Sequence, residues 1–325
     1  MTAARLRGCP LPESAGIQQP LAVWVIGDGK PGHVNQSLGL AEALARATPT
    51  TIHLIPALPA WRAWLALLLK RLPGNPLPAP DLIVGAGHAT HVSMLAARRA
   101  RGGRSVVLMK PSLPRRAFDL CIVPQHDGIT ADANTLVTEG ALNRIRPASA
   151  RDPGHGLLRQ GLILVGGTSP HFEWDSDAVQ VQIKSILART PETRWTLTTS
   201  RRTPADFLAQ LPPHPNLTCV PHTATSPDWL PEQLARSGTV WVTPDSASMV
   251  FEALSAGAEV GVFDLPVNPG SRVGRAIAHL ADAQRITRFA SWCASGLLHP
   301  NPHPLAEADR CAEWILEWLK IKTDG

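Results

Sequence analysis

No run in this chain approaches the roughly 18 consecutive apolar residues of a membrane-crossing helix. The five cysteines, Cys9, Cys121, Cys219, Cys293 and Cys311, are odd in number, scattered, and include no CxxC or histidine-spaced set. That excludes a zinc ribbon and a disulfide framework, and no metal is expected. Neither the P-loop spacing nor GxGxxG occurs, so the standard nucleotide fingerprints fail and a Rossmann oxidoreductase is disfavoured. There is no dense basic helix or arm: 31 Lys+Arg against 26 Asp+Glu leave a formal charge of only +5. Such an excess suits an anionic small substrate or an acidic lipid surface and argues against a nucleic-acid partner. Arg98, Arg99, Arg101 and Arg104, with Arg115 and Arg116, read as solvated helix ends. The first 20 residues hold no continuous apolar segment, so they read as a loose tail without a secretory signal, and the setting is expected to be reducing and cytoplasmic. Cys121 and Cys219 lie in apolar runs and are expected in the core.

What is present is a globular composition, 44% hydrophobic and 18% charged over 325 residues, long enough for two domains. The organising stretch is Thr239 to Phe263. Thr239 to Val242 reads as a strand, Asp245 to Ser248 offers capping oxygens, Gly257 stops a short helix, and Glu259 to Phe263 resumes an apolar run. With the helix starting near Ser246, one stripe carries Asp245, Ser248 and Glu252 while Val250, Ala253 and Leu254 form the apolar face opposite. The polar stripe is expected to face solvent or a ligand. Turns at the carboxyl ends of parallel strands are where open α/β sheets bind ligands, and helix N-termini favour anions.

The same theme opens the chain. Leu21 to Ile26 is a strand running into Gly27-Asp-Gly-Lys-Pro-Gly-His33, then a helical pattern from Asn35 to Ala47. Gly29 and Gly32 let a ligand approach the backbone, while Lys30 and His33 supply charge and a titratable group. Thr51 to Ile55 is the next strand. Pro59 to Leu72 is a helix whose Trp61, Trp64 and leucines are flanked by Arg62, Lys70 and Arg71, a pattern that fits a bilayer interface, though burial on the sheet is the commoner fate. Further strands are expected at Asp81 to Ala86, Ser105 to Met109 and Leu120 to Val123. Residues 146 to 159 have linker composition. A second α/β set follows, with Leu162 to Val165 entering Gly166-Gly-Thr-Ser169, and Thr193 to Thr198 entering Ser200-Arg-Arg202 ahead of a short helix over Pro204 to Leu211. A proline-started helix beside two arginines is an anion site in physical terms. The expected organisation is a tail over 1 to 20, Rossmann-like domains over 21 to 150 and 151 to 304, and a terminal helix over 305 to 325 able to pack on the first domain.

With these segments laid out, the chain resembles the Elm-type mitochondrial fission proteins and their bacterial relatives, on the GT-B plan of two Rossmann-like domains facing a cleft. IGDGKPGHVNQSLGLAEAL, LTTSRRTP and VTPDSASMVFEALSAG carry the likeness, which spans roughly residues 21 to 325. It implies a nucleotide-sugar in the second domain, held by Gly166, Gly167, Thr168, Ser169, Ser200, Arg201, Arg202, Asp245, Ser246, Ser248 and Glu252, with Glu252 at the ribose. It implies an acceptor loop of Gly29, Lys30, Gly32, Asn35 and Gln36, with His33 or Asp28 as base or electrostatic support. No cofactor is implied, since the nucleotide-sugar is itself the substrate, and such enzymes use no metal. The leading expectation is a metal-independent glycosyltransferase acting on an envelope or lipid-linked glycan, cytoplasmic and able to sit peripherally on the inner membrane face. A nucleotide-sugar epimerase and a non-catalytic fission adaptor are the alternatives. An adaptor would have no need to keep Gly29, Gly32, His33, Gly166, Gly167, Arg201, Arg202 and Glu252 together.

Overall fold

The structure, a computed structural model, describes residues 20–72, 76–147 and 160–321. The tail over 1 to 19 with its Cys9, and most of the linker-like stretch up to 159, lie outside the described residues.

The first sheet is built from β1 (Leu21–Gly27), β2 (Thr50–Pro56), β3 (Leu82–Ala86), β4 (Arg104–Leu108), β5 (Leu120–Pro124) and β6 (Thr135–Thr138). The strands are parallel in the order β2-β1-β3-β4-β5-β6. Helices α1 (Pro31–Ala47), α2 (Ala60–Leu69) and α3 (His88–Arg101) connect the first four. Central strands of a parallel sheet are covered on both faces, so their sequences are unbroken apolar runs; Val23, Trp24 and Val25 are all fully buried.

The second sheet repeats the plan with β7 (Gln160–Leu164), β8 (Arg194–Thr198), β9 (Leu217–Val220), β10 (Thr239–Val242), β11 (Glu259–Val262) and β12 (Thr287–Arg288). Its order is β12-β11-β10-β7-β8-β9, again parallel. The helices are α4 (Ser176–Arg189), α5 (Phe207–Gln210), α6 (Trp229–Arg236), α7 (Ala247–Ser255), α8 (Arg272–Asp282) and α9 (Phe289–Ser295). In each sheet the chain leaves a central strand pair in opposite directions, between β1 and β3 and between β7 and β10. These switch points open a crevice at the strands' carboxyl ends.

The last helix, α10 (Glu307–Ile321), crosses back to the first sheet. Ala308, Cys311, Ala312 and Ile315 are buried in the cluster that holds Val23, Leu40 and Leu44, and Arg46 pairs with Asp309. The two units also meet directly along residues 139 to 145. Gly140 lies under the Phe251 ring, Asn143 donates to Ser255 Oγ at 3.0 Å, and Arg285 reaches Glu139 at 3.1 Å.

Several sequence expectations are corrected. Cys219 is exposed, because β9 is the sheet's outer strand and only part of its apolar run is covered. The expected helix over Pro204 to Leu211 shrinks to Phe207–Gln210. Leu211 precedes Pro212, whose ring disfavours helical backbone, and residues 200 to 206 are spent in turns. Helix α1 starts at Pro31 rather than Asn35, with the proline in the first turn where its missing N–H costs nothing. That change puts His33 on the helix. Helix α2 is turned inside out relative to burial on the sheet: Ala63 and Ala66 are its buried residues, and Trp61 and Trp64 are 64% and 55% exposed. Strand β6 and helices α6, α8 and α9 were not foreseen, being short segments in polar or Gly/Pro-rich sequence.

The strap over residues 139 to 145, which carries the seam, is held against α1 by close backbone approach. A Cβ on Gly39 would lie 2.3 Å from the backbone oxygen of Asn143. Gly39→Ala should therefore lower stability by about 1–3 kcal/mol, the usual penalty of overpacking; a melting temperature equal to wild type in a thermal scan would show that the seam yields freely.

Candidate functional site

On the first sheet, the β1 to α1 connection folds back on itself. Asp28 accepts from the Lys30 N–H at 3.1 Å through one oxygen and is bonded to His33 Nδ1 at 2.8 Å through the other. Burial works to raise the Asp28 pKa, but the His33 hydrogen bond, the Lys30 N–H and the nearby positive charges outweigh it, holding the carboxyl below its usual range. A bond to an ionised carboxylate assigns the proton to Nδ1 and leaves Nε2 as the basic nitrogen. The pair is seated by Gly87 at the neighbouring switch-point strand. A Cβ there would stand 2.3 Å from His33 Nδ1, and its φ of +87° is one that glycine adopts freely. Gly29, at φ +77°, makes the turn, and Lys30 and Asn35 are exposed beside it.

On the second sheet, three loops are stitched together. The N–H groups of Gly166, Gly167 and Thr168 donate to Thr243 Oγ1 at 2.7 Å, Asp245 Oδ2 at 3.0 Å and the Arg202 carbonyl at 3.2 Å. Ser200 Oγ donates to the Gly166 carbonyl at 2.7 Å, and Ser169 Oγ accepts from the His171 and Phe172 N–H groups. Arg202 pairs with Asp245 at 2.6 Å and also donates to the Thr168 carbonyl. The two glycines are required by this stitching, since a Cβ on Gly166 would strike the Asp245 carboxylate and one on Gly167 the Arg202 backbone. Their close approach is thus to protein, with the N–H groups already satisfied. Asp245 is buried in the same knot, so it does not share an open face with Glu252. Both arginines are exposed, but Arg202 is tied to Asp245 while Arg201 has no protein partner among the described residues.

Helix α7 begins at this knot. Ser246 makes no side-chain cap, and the first three N–H groups, those of Ala247, Ser248 and Met249, have no acceptor among the described residues. Glu252, one turn further on, faces Gly32, Asn35 and Gln36 of the first unit, with Leu142 and Asn143 beside it and Ser248 on its own helix. The space there is about 20 Å³, room for roughly one water. Glu252 is partly buried, and desolvation by its crowded surroundings raises its pKa to about 7. The polar stripe expected to face solvent or a ligand faces the first unit at Glu252, across that small space.

Sequence reasoning missed the larger cavity next door. About 450 Å³ lies between the units, lined by His126, Asp127, Glu139, Phe251, Arg272 and His279 among others. His126 stacks on Phe251 at 5.9 Å, and Asp127 pairs with Arg272 at 3.2 Å. Burial pushes His126 down; Asp127 opposes this and Arg272 adds to it. The available signal was the Arg272, Arg275, His279 spacing, which places three basic groups on one side of α8. An Asp-x-Asp pair, Asp175-Ser-Asp177, also occurs, and it serves helix α4: Asp175 caps by accepting from the Ala178 N–H.

Two parallel sheets with opposed switch points and a terminal helix returning to the first unit define a GT-B-type fold. A family model described as "Mitochondrial fission ELM1" matches residues 31–319, and the chain belongs to that family. An uncharacterized protein of Rickettsia prowazekii (strain Madrid E), RP120, is 24% identical over 92% of this chain and 99% of its own length. Among solved structures, a putative UDP-N-acetylglucosamine 2-epimerase from Listeria monocytogenes superposes with a TM-score of 0.58 at 12% identity, covering 94% of this chain and 97% of that one. MurG of Acinetobacter baumannii superposes at 0.51 and 14% identity, covering 92% and 100%. These structural likenesses establish the fold.

The Glu252 environment carries a measurable consequence. Its pKa is 4.5 ordinarily and about 7 when folded, so between those values the folded state holds a proton the unfolded chain has released. Its contribution to stability therefore falls as pH rises from 4.5 to 7 and is level on either side. Glu252→Gln should match wild type in melting temperature near pH 4 and exceed it near pH 8, by at most about 3 kcal/mol at about 1.4 kcal/mol per unit. Parallel pH dependence of the two proteins in calorimetry would show that Glu252 is solvated.

Proposed function

We propose that this protein binds a nucleoside-diphosphate sugar in the interdomain cleft and transfers the sugar to an acceptor hydroxyl beside His33, without a metal. The observation that carries the reading is the Asp28–His33 pair at the first switch point. It supplies an oriented imidazole whose Nε2 can take a proton from an acceptor, directly or through one water. Across the cleft, the uncapped N-terminus of α7 and the unpartnered Arg201 offer positive potential where a departing diphosphate gains charge. Glu252 would accept from ribose hydroxyls. Because the space beside it holds only a water in the present closed state, the units must part to admit the nucleoside. Arg202 serves by holding the Gly166–Thr168 loop through Asp245. The Listeria neighbour, described as a UDP-sugar epimerase, supports the nucleotide-sugar class on this fold. It also makes epimerisation the rival chemistry.

The test is release of nucleoside diphosphate from a panel of nucleotide-sugars, with and without glycan acceptors and with a chelator present. Acceptor-dependent release that survives the chelator and falls about 10²–10⁴-fold in His33→Ala is expected for a lost general base. Product formed without acceptor would replace transfer by epimerisation. Arg201→Ala should weaken nucleoside diphosphate binding about 10- to 100-fold while leaving the nucleoside alone; equal losses for both ligands would remove the phosphate role.

A further inference from the structure

Helix α2 presents its large side chains outward. Ala63 and Ala66 face α3, and their small size lets the two helices lie close. Trp61, Trp64, Leu65, Leu68 and Leu69 are 64%, 55%, 47%, 75% and 57% exposed. At about 100° per residue these five fall on one continuous arc opposite the alanines. Five of the nine exposed large hydrophobic side chains among the described residues thus sit on one ten-residue helix. A patch so concentrated marks a surface that is covered in use.

The charge around it selects what covers it. No aspartate or glutamate occurs between Glu42 and Asp81, while Arg62, Lys70 and Arg71 border the helix. The Arg62 guanidinium lies over the Trp61 ring at 5.0 Å, and Lys70 and Arg71 follow the last exposed leucine. Tryptophan and leucine centred on a face with cations at its ends and no anion nearby complement an anionic lipid surface, where indoles sit at the headgroup level. A second copy of this patch would bring like charges together.

We propose that α2 is a membrane-docking helix, seating this protein on anionic lipid with Trp61, Trp64, Leu65, Leu68 and Leu69 in the interface and Arg62, Lys70 and Arg71 at the headgroups. The helix leaves the carboxyl end of β2, the same edge of the sheet from which the Asp28–His33 turn rises. Docking there places the first unit's side of the cleft near the bilayer. The assignment stands on exposure and charge, independently of any nucleotide.

The test is co-sedimentation of the full chain with phosphatidylcholine vesicles with and without phosphatidylglycerol, beside size-exclusion chromatography without lipid. Binding to the anionic vesicles is expected, with Trp61→Ala/Trp64→Ala abolishing it and each of Arg62→Gln, Lys70→Gln and Arg71→Gln weakening it about fivefold at low salt. None of these side chains is in the core, so circular dichroism and melting temperature should stay at wild-type values. Failure to bind anionic vesicles, binding unchanged in the tryptophan variant, or a dimer that the tryptophan variant dissolves would each overturn the assignment.

Discussion

The close approach of α1, the 139–145 strap and α7 is the constraint on which the molecule's form depends. Gly39 against the Asn143 carbonyl and Gly140 beneath Phe251 leave no space for even one added carbon. Helix α10 reinforces the seam from behind by burying Cys311 and Ile315 in the first sheet's core. The consequence is that Glu252, on the face of α7 that meets α1, is partly buried without a hydrogen-bond partner among the described residues. Burying a carboxylate that way is costly, and the pKa near 7 is the form the cost takes.

That arrangement gives the two halves separate duties. The second sheet's loops are knotted: Asp245 and Thr243 satisfy the Gly166 and Gly167 N–H groups, and Arg202 closes the knot from the β8 side. What the knot leaves free is the first turn of α7 and Arg201. The first sheet holds the titratable pair, with Asp28 fixing His33 and Gly87 making room for it. The free first turn of α7 and Arg201 thus belong to the second unit and the Asp28–His33 pair to the first. A separate cavity of about 450 Å³, lined by His126, Phe251 and Arg272 among others, has the size of a small-molecule site.

The fold was legible because parallel strands buried on both faces write themselves as unbroken apolar runs, as in Leu21 to Ile26 and Leu162 to Val165. Glycine-ended strands marked both switch points. Residue roles were less legible. The glycines at 166 and 167 looked like room for a phosphate, and in the folded chain they make room for Asp245 and Arg202, a distinction that depends on loops 35 and 78 residues away. Glu252 sat on a polar stripe that the helix pattern assigned to solvent or a ligand, and the surface it faces comes from α1, more than 200 residues earlier. Helical periodicity tells which residues share a face; it does not tell what lies opposite. Helix α2 shows the same limit reversed, since its tryptophans suggested burial on the sheet as the commoner fate, whereas Ala63 and Ala66 are its buried residues.

Under the proposed function, Glu252 is a partly buried carboxylate with a raised pKa that accepts from a bound nucleotide's hydroxyls. Titration calorimetry near pH 7 in buffers of differing ionisation enthalpy measures it directly, comparing wild type with Glu252→Gln over a panel of nucleoside diphosphates. Hydroxyls donated to the carboxylate favour its charged form, so wild type should release more protons on binding than the glutamine variant, and the 2′-deoxy ligand should reduce the difference. Equal proton release by both proteins, or no nucleoside diphosphate bound by wild type, would contradict it.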